Sequence, residues 1–177
     1  MGKKVNLKKA RRRKINPERA IVAMFRGMKK KSLNQVVRLI CGEKIGSGLY
    51  RDVYVLKGYP EYVVKVEVDP STGTFANVLE WNNYLMHGPW IFLGPWLAGC
   101  VAINETGRVL IQQRIEHRGP YPGKIPRMFT DLKRANFGYI GERFVCCDYS
   151  FLVLPKFPTQ MQKARWWGRM PKSKKAA

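Results

Sequence analysis

Three oxygen-bearing side chains in the second half of the chain have the chemistry to hold a metal ion on a phosphate group. Asp131 and Asn136 stand five residues apart in a stretch typical of a loop, and Asp148 ends an apolar, β-prone run. Amide and carboxylate oxygens are the hard ligands that Mg²⁺ prefers, so we interpret Asn136 and Asp148 as metal ligands. Asp131 is then expected to accept or orient an acceptor hydroxyl, and Lys133 to neutralise a transferring phosphoryl group.

The first half of the chain supplies groups suited to a nucleotide. Gly46 and Gly48 lie between two predicted strands, where the missing Cβ lets the backbone approach a phosphate. Val53 follows on the second strand, and Lys65 lies in a β-branched third strand. Lys65 points away from the face of its neighbouring valines and could contact phosphates as a point charge. The alternatives are a simple hairpin turn and a solvent-facing lysine.

A lysine in that position needs an anion to hold it. The following helix is predicted over residues 75–86, with Thr74 as its cap. Glu80 lies off the apolar arc of this helix and is the favoured partner of Lys65. Glu67, two residues after Lys65, stays open as the alternative.

Two short helices are predicted before the first strand. Asn16 can cap a helix that begins at Pro17, and Ser32 can cap a second helix that closes near Gly42. Turn residues predict later hairpins around 104–107 and 141–142, and the proline-containing tail leaves room for at most one short helix. The chain therefore divides into a basic arm at 1–15, a helical preface at 16–42, a main domain at 43–154 and a basic, Trp-containing tail at 155–177.

The charge balance favours an acidic or phosphate-rich partner. There are 33 Lys and Arg residues against 12 Asp and Glu, a formal net charge of +21. Nucleic acid could contact the cations of the N-terminal arm, and paired tryptophans in the tail could stack on bases. The alternatives are a solubilising arm and tryptophans that dock on the core. The residues concerned are Arg11, Arg12, Arg13, Lys14, Trp166 and Trp167.

The four cysteines indicate a reducing compartment. Cys146 and Cys147 are adjacent, the other two stand alone, and no zinc-site spacing is present. The basic N-terminus lacks a following apolar region, so no secretory signal is expected. The most apolar stretch, residues 90–103, is too short and too broken by glycine and proline to span a bilayer. These features predict a cytoplasmic protein without a membrane partner.

Taken in order, these motifs resemble a protein kinase-like domain over about residues 43–152. The stretch Asp131 to Asn136 keeps the Asp-x-x-x-x-Asn spacing of a kinase catalytic loop, and Asp148-Tyr149-Ser150 stands in the place of Asp-Phe-Gly. The chain is most similar to the compact kinase-like proteins that bacteriophages encode, which would place it in the host cell cytoplasm. The resemblance implies a cleft for ATP and Mg²⁺, with Gln113 at its hinge, and transfer of the γ-phosphoryl group to a Ser or Thr hydroxyl of a protein.

The same resemblance implies an α+β fold: an antiparallel N-lobe sheet with one helix, and a strongly reduced C-lobe. Phe129-Thr130 replaces the usual His-Arg, and Ser150 replaces the last glycine of Asp-Phe-Gly. The span from Gln113 to Thr130 is short and rich in Gly and Pro, and no Ala-Pro-Glu motif follows Asp148. The alternative function is a non-catalytic, pseudokinase-type basic protein that binds nucleic acid or a nucleoprotein partner.

Overall fold

The computed structural model describes residues 16–68, 73–153 and 159–171, so the basic arm at 1–15 lies outside the described residues. Five strands form the main sheet: β1 (Cys41–Ser47), β2 (Arg51–Leu56), β3 (Tyr59–Glu67), β4 (Cys100–Ile103) and β5 (Val109–Gln113). Their order is β1-β2-β3-β5-β4, and each adjacent pair is antiparallel. The predicted antiparallel sheet is confirmed.

Both predicted N-terminal helices are present. Helix α1 (Pro17–Arg26) begins where Asn16 accepts a hydrogen bond from the backbone N–H of Glu18, at 2.9 Å. Helix α2 (Leu33–Ile40) begins with a capping box between Ser32 and Gln35. This helix runs directly into β1, so it ends before Gly42.

The two helices cover one face of the sheet. Ile21 of α1 and Ile40 of α2 are almost completely excluded from solvent and share a core with Val64 and Ile111 of the sheet. Because the side chains of a β-strand alternate between faces, the residues next to Val64 and Ile111 in their strands point to the other face of the sheet. No helix in the described part of the chain is long and apolar enough to cross a membrane.

Helix α3 (Ala76–His87) lies between β3 and β4 in the chain. The prediction that Thr74 caps this helix is wrong, because the N-cap is Phe75, which has a left-handed φ of 45° and makes no side-chain cap. The cap comes instead from another element: the carboxylate of Glu67 in β3 accepts the backbone N–H of Asn77 at 2.9 Å. A carboxylate at a helix N-terminus is favoured by the helix dipole.

After α3 the chain adds β4 and β5 to the main sheet, and its other described residues form a second layer without α-helices. It contains two antiparallel ribbons, one of β6 (Lys124–Pro126) with β9 (Met161–Lys163) and one of β7 (Phe137–Ile140) with β8 (Arg143–Cys146). The tail therefore contributes a strand, and the prediction of at most a short helix there missed it. The core cluster of this layer also includes Cys100 of β4 and Leu110 of β5. Its other buried residues are Leu93, Leu97, Ile125, Met128, Phe129, Leu132, Phe137, Cys146 and Tyr149.

Strand register defines which side chains of the sheet face this second layer. Val53 lies opposite Lys65 on the neighbouring strand, and Arg51 lies opposite Glu67. Directly opposed residues share a face, as do residues two apart on one strand. Arg51, Val53, Lys65 and Glu67 therefore share the face opposite to the one that α1 and α2 cover.

Candidate nucleotide site

Glu80 of α3 is a carboxylate with no solvent exposure at the centre of a polar cluster. One of its oxygens accepts hydrogen bonds from Lys65 Nζ at 2.5 Å and from Gln112 Nε2 at 2.6 Å. The other accepts Arg51 Nη1 at 2.7 Å and Ser150 Oγ at 3.1 Å. We call these five residues the Glu80 cluster. Two cations compensate one desolvated carboxylate, as a buried charge requires.

The partner of Lys65 is Glu80, not Glu67. Glu67 is also buried, but its carboxylate holds the first turn of α3 through the backbone of Asn77. The two glutamates thus have separate tasks. Glu67 positions the helix, and Glu80, which the helix carries, pairs with Lys65.

Sequence reasoning missed Arg51. Its guanidinium group bridges two carboxylates, contacting Glu80 at 2.7 Å and Asp148 Oδ1 at 2.6 Å, while only 9% of its side chain is exposed. Strand alternation contained a usable signal, since Arg51 has the same parity as Val53 and precedes it by two residues. An arginine at the start of the strand after the glycines is thereby directed toward the same cleft as Lys65.

A continuous set of contacts joins the Glu80 cluster to the predicted catalytic loop. Lys65 Nζ also donates to the backbone carbonyl of Cys147. The Cys147 N–H donates to the carbonyl of Asn136 at 2.8 Å, and the Asn136 amide donates to Asp131 Oδ2 at 2.9 Å. Lys65 and the residues predicted to hold a metal and a hydroxyl are therefore neighbours in space, although Asp131, Asn136 and Asp148 are 66 to 83 residues from Lys65 in sequence.

Asp131 is exposed at the surface of the second layer, and other groups orient it. Its Oδ1 accepts the indole N–H of Trp167 at 3.1 Å and the backbone N–H of Lys133 at 3.3 Å. The Lys133 ammonium lies 5.6 Å from the centre of the Trp167 ring, a cation–π contact. Its predicted contact with a phosphoryl group stays a prediction.

The fold itself does not require glycine at positions 46 and 48. Neither residue has a positive φ. A Cβ at Gly46 would come no closer than 3.5 Å to the Val53 side chain, and one at Gly48 no closer than 3.6 Å to the Arg51 carbonyl. These are ordinary van der Waals distances, so a methyl group at either position would fit the fold.

Other predicted residues lie outside this set of contacts. Gln113 is tied to Gly99, whose backbone N–H donates to its side-chain oxygen at 3.0 Å, and its role at a nucleotide stays a prediction. Trp166 packs edge-on against Tyr121 and Phe137, with ring centres 5.0 and 4.9 Å apart, so it docks on the core. The arm cations Arg11, Arg12, Arg13 and Lys14 lie outside the described residues.

The cysteines beside Asp148 are not suited to nucleophilic chemistry at neutral pH. Burial raises the pKa of Cys147 to about 12, and burial also raises the pKa of Cys146 well above its ordinary value. The thiolate is the reactive form of cysteine, so both side chains stay unreactive thiols near pH 7.

The residues present fit a metal that is shared with phosphates. Among the described residues, no group of three His, Cys, Asp or Glu side chains comes together. Asn136 uses its amide nitrogen toward Asp131, which directs its oxygen to other partners, and Asp148 retains a second oxygen beside the one that Arg51 holds. Mg²⁺ commonly takes one or two protein oxygens and completes its shell with phosphates and water. Asn136 and Asp148 would supply those two oxygens.

Comparison with known proteins adds little beyond these contacts. No protein-family model and no curated protein matches the chain. The chain is similar to a solved structure of the ternary complex of streptomycin, ATP and APH(2")-IIa, with 19% sequence identity and a TM-score of 0.33. The match covers 49% of this chain and 30% of that one, so the chain spans less than a third of that structure's length.

The contacts of Glu80 predict a large effect on stability. We expect Glu80→Gln to lower the free energy of unfolding by about 3–5 kcal/mol, because it leaves the buried Lys65 without its anion and Arg51 with Asp148 alone. Glu105→Gln is the control, since it removes the partner of Lys29 in an exposed ion pair at 2.7 Å and should cost less than about 1 kcal/mol. Urea unfolding measures both losses, and equal losses would contradict the central place of Glu80.

Proposed function

We propose that this protein is a kinase-like phosphotransferase that binds ATP with Mg²⁺ and transfers the γ-phosphoryl group to a Ser or Thr hydroxyl of a protein. The observation that carries the proposal is the buried Lys65–Glu80 ion pair, at 2.5 Å, in contact with the segment that bears Asp148. An ion pair with so little solvent contact is costly to build, and structural pairs of this kind are often replaceable by apolar residues. The position of this ion pair beside two potential metal ligands, Asn136 and Asp148, suits Lys65 to binding a phosphate group.

On the nucleotide side, each residue has a task that its position supports. Lys65 can move its ammonium from the Cys147 carbonyl to a phosphate oxygen while Glu80 still holds it. The glycine turn at 46–48 can approach the phosphates closely with its backbone. Asn136 and Asp148 would hold Mg²⁺. When bound, ATP would supply the phosphoryl group, and Mg²⁺ would neutralise charge that develops on it.

On the acceptor side, Asp131 is the one carboxylate of the predicted loop. The Asn136 amide donates a hydrogen bond to one of its oxygens at 2.9 Å, and the Trp167 indole N–H donates to the other at 3.1 Å. A carboxylate oriented in this way can accept a hydrogen bond from an acceptor hydroxyl and take its proton as the new bond to phosphorus forms and the bond from the γ-phosphorus to the oxygen of the leaving ADP breaks. Asp131 is also exposed, so a protein segment can reach it.

A second candidate function is a nucleotide-binding protein without phosphoryl transfer. The observation in its favour is the Arg51–Asp148 contact at 2.6 Å. The positive guanidinium group of Arg51 would repel a metal ion from the carboxylate of Asp148, which the first candidate needs as a metal ligand. Both candidates include nucleotide binding, and only the first includes labelling of an acceptor.

Nucleotide binding is tested by thermal stabilisation. A ligand at 100 times its Kd adds about 2.7 kcal/mol to native stability, so ATP with Mg²⁺ should raise the Tm of the wild type by roughly 5–10 °C. We expect Lys65→Ala to lose this shift. Gly48→Ala should lose most of it while changing the stability without ligand by less than about 1 kcal/mol, since the fold has room for the methyl group.

The control is Lys57→Ala, which removes an exposed lysine whose ammonium group donates to the backbone carbonyl of Arg38. It should keep the full shift. A wild type with no shift at millimolar ATP would refute nucleotide binding. An unchanged shift in Gly48→Ala would refute the role of the glycine turn.

Phosphoryl transfer is tested by autophosphorylation with radiolabelled ATP. Asp131→Ala should lower the rate of labelling by roughly 10²–10⁴-fold, the usual contribution of a positioned acid or base. Asp148→Ala should lower it comparably through loss of a metal ligand. Glu142→Ala removes an exposed carboxylate and serves as the control. Equal labelling in all variants would exclude the assigned catalytic residues, and nucleotide binding without any labelling would favour the second candidate.

A further inference from the structure

The C-terminal tail has two faces that differ in chemistry. From residue 161 to 167, exposed and partly buried positions alternate without a break. The inner residues are fastened to the second layer: Gln162 donates to the Phe129 carbonyl at 2.7 Å, and Trp166 donates to the Pro122 carbonyl at 2.9 Å. The exposed residues form what we call the outer row: Met161, Lys163, Arg165 and Trp167.

The outer row carries two positive charges, on Lys163 and Arg165, that form no ion pair with a carboxylate of the described residues. Lys163 lies directly opposite Lys124 in the β6–β9 ribbon, and both are exposed. Like charges in directly opposed positions destabilise a strand pair. In the described part of the chain, neither lysine forms an ion pair with a carboxylate, and neither does Arg165. A cost of this kind is offset when an anion binds between the cations.

The row ends at Asp131. Trp167 donates its indole N–H to Asp131 at 3.1 Å, and its backbone N–H donates to the Leu132 carbonyl at 3.2 Å. At about 3.3 Å per residue, the four steps from Lys163 to Trp167 cover about 13 Å of extended chain. The two cationic side chains of the row, Lys163 and Arg165, therefore stand two residues apart on a path that leads to the proposed acceptor position.

We propose that the outer row binds an acidic peptide segment, so that the preferred acceptor carries Asp or Glu about two and four residues from the Ser or Thr. An extended peptide presents every second side chain on one face, with the same spacing as Lys163 and Arg165. This inference rests on the proposed function, since it identifies the acceptor of the phosphoryl group. The charge complementarity it needs is present on described residues alone.

The test is peptide binding by fluorescence anisotropy in the absence of ATP. The probe is a labelled peptide with Ser at its centre and Glu at every second position on both sides, beside a peptide with Gln in place of Glu. We expect the Glu peptide to bind at least 10-fold more tightly. The double variant Lys163→Glu with Arg165→Glu should lose that preference. Its fold should hold, because Glu opposite Lys124 makes a favourable cross-strand pair; circular dichroism melting checks this.

The matched control carries Lys30→Glu and Lys31→Glu, an equal change of net charge on exposed residues of the α1–α2 connection. It should weaken binding less than 3-fold. Equal weakening in the two double variants would overturn the proposal, because net charge would then explain the binding. Tighter binding of a single-stranded oligonucleotide of equal charge, lost in the tail variant, would overturn it in favour of nucleic acid. Since the assay needs no phosphoryl transfer, its result is separate from that of the labelling experiment.

Discussion

Glu80 must be compensated because it has no contact with water, and the rest of the site depends on how that is achieved. A lone ionised carboxylate in such a place would cost more than a domain of this size can offset. Lys65 comes from the middle of the sheet, Arg51 from the strand after the glycine turn, and Ser150 from the second layer. Three parts of the chain are therefore held in one arrangement by a single side chain.

The second layer is built from short strands and the C-terminal tail, with no α-helix among its described residues. Its core consists of aromatic and aliphatic side chains from two short ribbons and their loops, and Trp166 closes one end of it. The tail then continues along the loop of Asp131, where the backbone N–H of Arg134 donates to the Trp167 carbonyl at 2.9 Å. Residues late in the sequence thus stabilise the loop that the proposed chemistry needs. The same tail provides the cationic outer row.

Local patterns in the sequence were sufficient for most of the elements, because capping, alternation and turn chemistry are local. Asn16 and Ser32 start helices as their types predict, and the hairpins fall at the predicted turns. The misses have a common cause: each depends on a contact between residues distant in sequence. Thr74 was expected to cap α3, but the cap is Glu67 from β3. The choice between Glu67 and Glu80, the bridging position of Arg51 and the strand in the tail likewise depend on tertiary contacts that no local pattern contains.

The most direct test of this account is a crystal structure with a non-hydrolysable ATP analogue and Mn²⁺, whose anomalous signal locates the metal. We expect Lys65 to leave the Cys147 carbonyl for a phosphate oxygen while Glu80 still holds its ammonium group. We expect the metal between phosphate oxygens and the side-chain oxygens of Asn136 and Asp148. A nucleotide bound elsewhere, or phosphates bound while Lys65 remains on Cys147 and Asp148 has no metal, would contradict these assignments.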